Sequence, residues 1–287
     1  MTFKPLPTLA ALLLLGSAAT WVWWSRPAPA PVALPLIAAS VPSKAAPSAP
    51  GTVAPAHRMP PADTMTVLAA VADSDASFGA AVLALPNATG LADVLRPENL
   101  IRHWVATIDN LPRHRLPVPV IPLKPTIGTF LVSGEDSLIA TTVLTPGPPV
   151  TVAESNAARY APLITLMDRL DMQNVGAVYQ HFYPLFQQAY QDLGFPNGYF
   201  NDRLVEVIDH LLAAPQPAGL IALVRPKVFW EYADPELEAL SAGQKLMLRI
   251  GTVNSVIVRQ KLVEFRALIT APRAPNARAA NSSAISN

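Results

Sequence analysis

The chain has 287 residues, a formal net charge of +1 and no cysteine. Without thiols it can hold no disulfide, thiolate metal site or cysteine nucleophile, and without a run of Lys or Arg it lacks the electrostatic footprint of a nucleic-acid binder. Hydrophobic residues make up 51% and charged residues only 14%, below the roughly 25% charged of an average globular protein, because Ala, Pro and Val crowd stretches that have no helical or strand period.

The amino-terminal run Thr8–Trp24 is uncharged and ends in Trp21, Trp23 and Trp24. With Pro5-Leu6-Pro7 it nears the roughly 20 residues that span a bilayer, and tryptophans at one end suit the lipid–water boundary. A cleaved signal peptide is the rival reading. It is disfavoured because the nearest small-residue site, Ala28-Pro29-Ala30, runs into Pro31. Residues 1–26 are therefore expected to form a membrane anchor. Residues 27–62, rich in Ala and Pro, read as a disordered spacer that buries too little surface to order itself. A helical domain over 63–271 and a disordered tail over 272–287 complete the expected organisation.

Within the domain, Asp73-Ser74-Asp75 caps a short helix that Pro86 stops. Arg96-Pro97-Glu98-Asn99 opens the next, whose Ile101, Trp104, Val105 and Ile108 fall on one face. Prolines 117, 119, 122 and 125 then exclude helix and central strand. An irregular arm across 113–150 is expected, with an edge strand at Thr129–Val132. A helix beginning at Arg159-Tyr160-Ala161-Pro162 buries Leu163, Leu166, Met167 and Leu170. The following one, Val175–Leu193, should be kinked by Pro184. After the turn Gly194-Phe195-Pro196-Asn197-Gly198, a helix ending at Pro215 buries Leu204, Ile208, Leu211 and Leu212. Leu220–Val224 reads as a short buried strand or extended segment. Asp234-Pro235-Glu236 starts a helix running to Gly251 with Leu237, Leu240, Gln244 and Met247 inward. A last helix, Val253–Ile269, buries Val258, Leu262, Phe265 and Ile269. The fold class is mainly α: an irregular multi-helix domain with a proline-rich arm and at most a few short β-strands, preceded by one transmembrane helix.

Four blocks carry a resemblance: DNLPRHRLPV from Asp109, ARYAPLI from Ala158, YPLFQQAYQDLGFPNGYFNDRLVEVIDHLLAAP from Tyr183, and YADPELEALSAGQKLMLRIG from Tyr232. They resemble an uncharacterised bacterial membrane-anchored family, the domain of unknown function three thousand and fourteen, over roughly Asp73 to Leu268. The resemblance implies an amino-terminal membrane segment and a proline-rich spacer. It implies no activity, cofactor or catalytic residue.

Candidate chemistry centres on Asp202, Glu206 and Asp209, which share one side of a helix, with His210 beside them. Glu206, Asp209 and His210 are the candidates for acid–base work, and Asp202, Glu206 and Asp209 for a divalent cation. Three like charges in a row repel unless cations answer them. The favoured reading is thus a partly buried ion network of Asp202, Arg203, Glu206, Asp209, Lys245 and Arg249. Tyr179, Tyr183, Phe186 and Tyr190 recur at helical steps, either as core or as the lining of a ligand groove. No zinc, nucleotide or serine-hydrolase motif occurs, and no cofactor is expected. The expected protein is a single-pass protein of the bacterial inner membrane. Its periplasmic domain binds or scaffolds an envelope protein partner. The alternative is an envelope hydrolase or metal-dependent enzyme on the Asp202/Glu206/Asp209 stripe with His210.

Overall fold

A computed structural model describes residues 54–59, 68–134 and 149–271. The anchor at Thr8–Trp24, the spacer before residue 54 and the tail beyond 271 lie outside the described residues. Among the described residues no helix is long and apolar enough to cross a membrane.

The domain is mainly helical. Its elements are α1 (Asp75–Leu83), α2 (Leu91–Val94), α3 (Leu100–Asn110), β1 (Val132–Ser133), β2 (Thr151–Val152), α4 (Asn156–Arg169), α5 (Met172–Asp192), α6 (Phe200–Leu212), β3 (Leu223–Val224), β4 (Glu231–Tyr232), α7 (Pro235–Ala239), α8 (Ala242–Arg249) and α9 (Thr252–Thr270).

Helix α5 is the hub, packed against α1, α3, α6 and α9. Its helix continues through Pro184 to Asp192, and Asp171 caps it through the Gln173 N–H at 2.9 Å. The apolar stripe of α3 buries Ile101 and Val105 against it. Phe78 of α1 meets Phe182 and Phe186 edge-on, with ring centroids 5.2 and 5.5 Å apart. The turn between α5 and α6 needs glycine: Gly194 sits at φ 118°, and a Cβ on Gly198 would lie 2.7 Å from the Tyr190 ring.

The proline-rich arm lies across this bundle. Its Val120 carbonyl accepts from the Thr107 hydroxyl of α3 at 2.8 Å. The Arg159 guanidinium binds the Gly128 and Ile127 carbonyls at 2.8 and 3.1 Å. Buried Asn156 fastens the arm's far end, accepting from the Leu131 N–H at 2.9 Å. Two antiparallel pairs, β1–β2 and β3–β4, join where Thr151 bridges Ala222. They enclose a small second core of Val150, Leu223, Tyr232 and Leu248.

The structure departs from the sequence expectations in several places. The helix expected to open at Pro97 begins at Leu100. Its cap comes from afar: Asp75 accepts from the Asn99 and Leu100 N–H groups at 2.5 and 2.8 Å. The helix beginning at Arg159 begins instead at Asn156. The single helix expected over 235–250 is two, because Ser241 turns extended and caps α8 through the Gln244 N–H at 3.1 Å. Ser241-Ala-Gly-Gln244 has the residue types of a capping box, and that signal outweighed the apolar stripe. The spacer boundary also moves. Residues 54–59 lie on α6, with Met59 buried and the Met59 N–H donating to the Tyr199 hydroxyl at 2.9 Å, so the folded part extends upstream of residue 63.

Candidate functional site

Helix α6 follows from its sequence: apolar Leu204, Val205, Val207 and Ile208 face the core, and the acids lie elsewhere on its circumference. Each acid finds a different answer. Asp202, in the first turn, accepts from the Ala56 and His57 N–H groups at 2.9 and 2.7 Å. Glu206 pairs with Arg203 at 2.9 Å. Asp209 is gripped by both arms of Arg266 from α9, at 2.6 and 2.9 Å.

The expected network is therefore corrected. Glu206 and Asp209 are exposed rather than partly buried. Lys245 and Arg249 do not meet the stripe. Lys245 pairs with Glu238, which also accepts from the Tyr232 N–H at 2.9 Å, and Arg249 lies over the Phe130 ring. Both side chains serve the second core because α8 points them at the strands.

The buried charge centre is one that reading the sequence missed. The Asp109 carboxylate is 4% exposed and receives Arg203 Nε at 3.1 Å and Arg113 Nη2 at 2.6 Å. Arg203 Nη2 also donates to the Asp109 carbonyl at 3.0 Å. A signal was available. Asp109 stands four residues after Val105, on the apolar side of α3, and an acid there requires cations. Arg266 left no such trace, since it lies 57 residues from Asp209.

The turn after Asp109 docks α8. The Arg113 and Leu111 carbonyls accept from the Ala242 and Gly243 N–H groups at 2.7 and 2.9 Å, so the turn fills bonds that the start of a helix leaves open. Gly243 is required there: a Cβ would lie 2.6 Å from Leu211 Cδ2 and 3.0 Å from the Leu111 carbonyl oxygen. His210 Nε2 lies 2.8 Å from the Ser241 hydroxyl, which already accepts the capping bond of α8.

These distances bear on chemistry. Asp202 is tied to residues 56–57 and Asp209 to α9, while Glu206 pairs within α6 itself, so the stripe supplies two tethers and one local pair. Among the described residues no group of three or more His, Asp or Glu could hold a metal ion.

The aromatic groove is also corrected. Tyr179, Tyr183, Phe186 and Tyr190 are all buried in the main core. Burial pushes the Tyr179 hydroxyl well up, helped by Tyr183 and Tyr199. Burial likewise pushes Tyr183 up. Both hydroxyls bond inward, Tyr179 to Asn201 at 3.1 Å and Tyr183 to Gln187 at 3.0 Å.

Residues 100–266 match the model of a family described as proteins of unknown function (DUF3014). The chain belongs to that family. The DUF3014 segment runs from the start of α3 to Arg266, so it contains Asp109, Arg203, Gly243 and both partners of the Asp209–Arg266 pair. It excludes α1 and residues 54–59. No curated protein and no solved structure matches the chain.

A pH dependence follows from two carboxylate–cation pairs, the exposed Asp209–Arg266 and the half-buried Glu238–Lys245. The hydrogen bond from Arg266 holds the Asp209 carboxyl below its ordinary value. For Glu238 partial burial pulls upward, but the Lys245 ammonium and the Tyr232 N–H outweigh it, so its carboxyl is also held down. A carboxyl lowered in the folded state adds stability above its unfolded value of about 4 and loses it as pH falls through the folded value. Asp209→Asn and Glu238→Gln should therefore melt below the parent at neutral pH. The gap should close as pH falls below about 4, where the parent's carboxyls are protonated too. Melting curves across pH check this, and a gap that persists in acid would contradict it.

Proposed function

We propose that this chain is a single-pass protein of the bacterial inner membrane whose periplasmic helical domain binds or scaffolds an envelope partner. The uncharged run Thr8–Trp24 supports the anchor. The observation that carries the binding role is on α9. Its inner side packs on α4, α5 and α6. Its outer side exposes Val253 at 79%, Val256 at 55% and Val263 at 54%, with Gln260 and Ala267 exposed in the same row. Steps of three and four residues along that row bring three valines and Ala267 onto one side, interrupted at its middle by Gln260, a seam of the kind a second helix covers. A helix apolar on both sides fits a module that meets a partner helix there.

The test is a Val256→Lys/Val263→Lys chain extracted from membranes. Both positions face solvent, so melting should stay within about 0.5 kcal/mol of the parent, while the complex shrinks toward the mass of the chain alone. An unchanged complex, or a parent already alone after extraction, would overturn the binding reading. A reporter fused after Asn287 should read as periplasmic, and a cytoplasmic signal would overturn the topology.

A further inference from the structure

We infer that the surface holding residues 54–59 is a peptide-binding site, and that this segment fills it as an internal, displaceable ligand. Residues 54–59 form no helix or strand. Three neighbouring side chains hold them by their main chain. Asp202 takes the Ala56 and His57 N–H groups on its two carboxylate oxygens, at 2.9 and 2.7 Å. The Asn201 amide donates to the His57 carbonyl at 2.9 Å, and the Tyr199 hydroxyl accepts from the Met59 N–H at 2.9 Å. Met59 alone of the segment is buried, at 6% exposure, and its side chain joins the main core. Ala54, Ala56 and Arg58 are exposed.

Main-chain bonds with one apolar anchor are the means by which a protein captures a peptide segment of another chain. The bonds at 56, 57 and 59 depend on free N–H groups, not on the side chains there. The ligand is thereby specified: two consecutive residues other than proline, then an unbranched apolar side chain two positions on. Methionine suits the pocket because its flexible thioether fills irregular gaps. The segment is also held lightly enough to leave. A stretch with one buried side chain and a few side-chain bonds belongs to the parts of a fold that open locally, without global unfolding. Tyr199, Asn201 and Asp202 lie within the family segment 100–266, and their occupant lies outside it. Joined to the domain through residues 60–67, the occupant has an effective concentration of roughly millimolar order, so it fills the site until a stronger competitor arrives. The site is separate from the α9 seam and is tested without it.

The probe is a fluorescein-labelled peptide of residues 53–61, followed by fluorescence anisotropy against the full-length chain. Two variants weaken the internal ligand and leave the site intact. Met59→Ser removes the anchor, and Ala56→Pro/His57→Pro removes both N–H groups that Asp202 accepts. Both opened chains should still melt cooperatively. The probe is expected to bind each of them roughly tenfold or more tightly than it binds the parent, whose own segment competes. A probe carrying Met59→Ser should bind the opened chains roughly tenfold more weakly. Asp202→Asn added to the Met59→Ser chain should weaken the unmodified probe by roughly the same factor. Equal binding to parent and opened chains, or binding that neither change weakens, overturns the inference. So does a lack of binding to an opened chain that melts cooperatively. Loss of cooperative melting in both variants overturns it as well, because the segment is then part of the fold and not a ligand of it.

Discussion

Arg203→Ala is expected to destabilise the domain by about 3–5 kcal/mol, the cost of leaving a buried charge without its partner. The charge is Asp109, whose carboxylate is almost wholly enclosed and takes Arg203 Nε at 3.1 Å. Arg113 remains after the substitution, but its side chain is 57% exposed and so offers a weaker, solvent-screened answer. The Asp109 carbonyl loses a donor as well. For a domain of this size the melting temperature should fall by about 10 °C. Glu206→Ala is the comparator. Its carboxylate touches the same Arg203 but is 67% exposed, and its loss should cost no more than about 0.5 kcal/mol. The paired change Asp109→Asn/Arg203→Met should recover much of the loss, because it removes both charges together. Chemical denaturation of the four chains measures all of this. If Arg203→Ala proves no worse than Glu206→Ala, Asp109 is not the buried charge that the geometry makes it.

Asn201→Ala should be comparably damaging, by about 4 kcal/mol, for a different reason. Asn201 is fully buried. Its amide nitrogen donates to the His57 carbonyl at 2.9 Å and the Ile269 carbonyl at 3.0 Å, and its oxygen accepts from the Tyr179 hydroxyl at 3.1 Å. One side chain thus ties residues 54–59, the end of α9 and the hub helix to the start of α6. Removing it orphans three polar groups and leaves a cavity. Asn201→Asp discriminates the cause. The carboxylate has nearly the same shape but no donor for either carbonyl, and it buries a charge. It should be at least as destabilising as alanine. An Asn201→Asp chain with parental stability would show that packing volume, not hydrogen bonding, holds this junction. Proteolysis near His57 should accelerate in both variants as the segment detaches.

How far the sequence reaches can be judged from particular residues. The stripe of Ile101, Val105 and Ile108 implied α3, and Asp234-Pro235 implied the start of α7, since spacing and capping are local properties of the chain. The prolines between 117 and 125 read as excluding helix and central strand for an equally local reason. The stretch holds no α-helix or strand but does form one 3-10 turn, Val118–Val120. Even the missed break at Ser241 was written in four consecutive residues. Periodicity could not decide between core and groove for Tyr179, Tyr183, Phe186 and Tyr190, because a stripe looks the same whether protein or ligand covers it. The placement of α1, α3, α6 and α9 around α5 settled that.

Charge pairing is where sequence reading fell short. The acids at 202, 206 and 209 did demand partners, and electrostatics alone was enough to say so. Which partner answered each acid depended on helix packing. Asp202 took backbone N–H groups from a segment assigned to the spacer, Asp209 took Arg266 from α9, and Lys245 and Arg249 turned to Glu238 and Phe130 instead. Spacing along one helix determines which side chains share a face. Only the tertiary structure decides what that face meets, because a salt bridge requires two groups within about 4 Å and sequence separation carries no such distance.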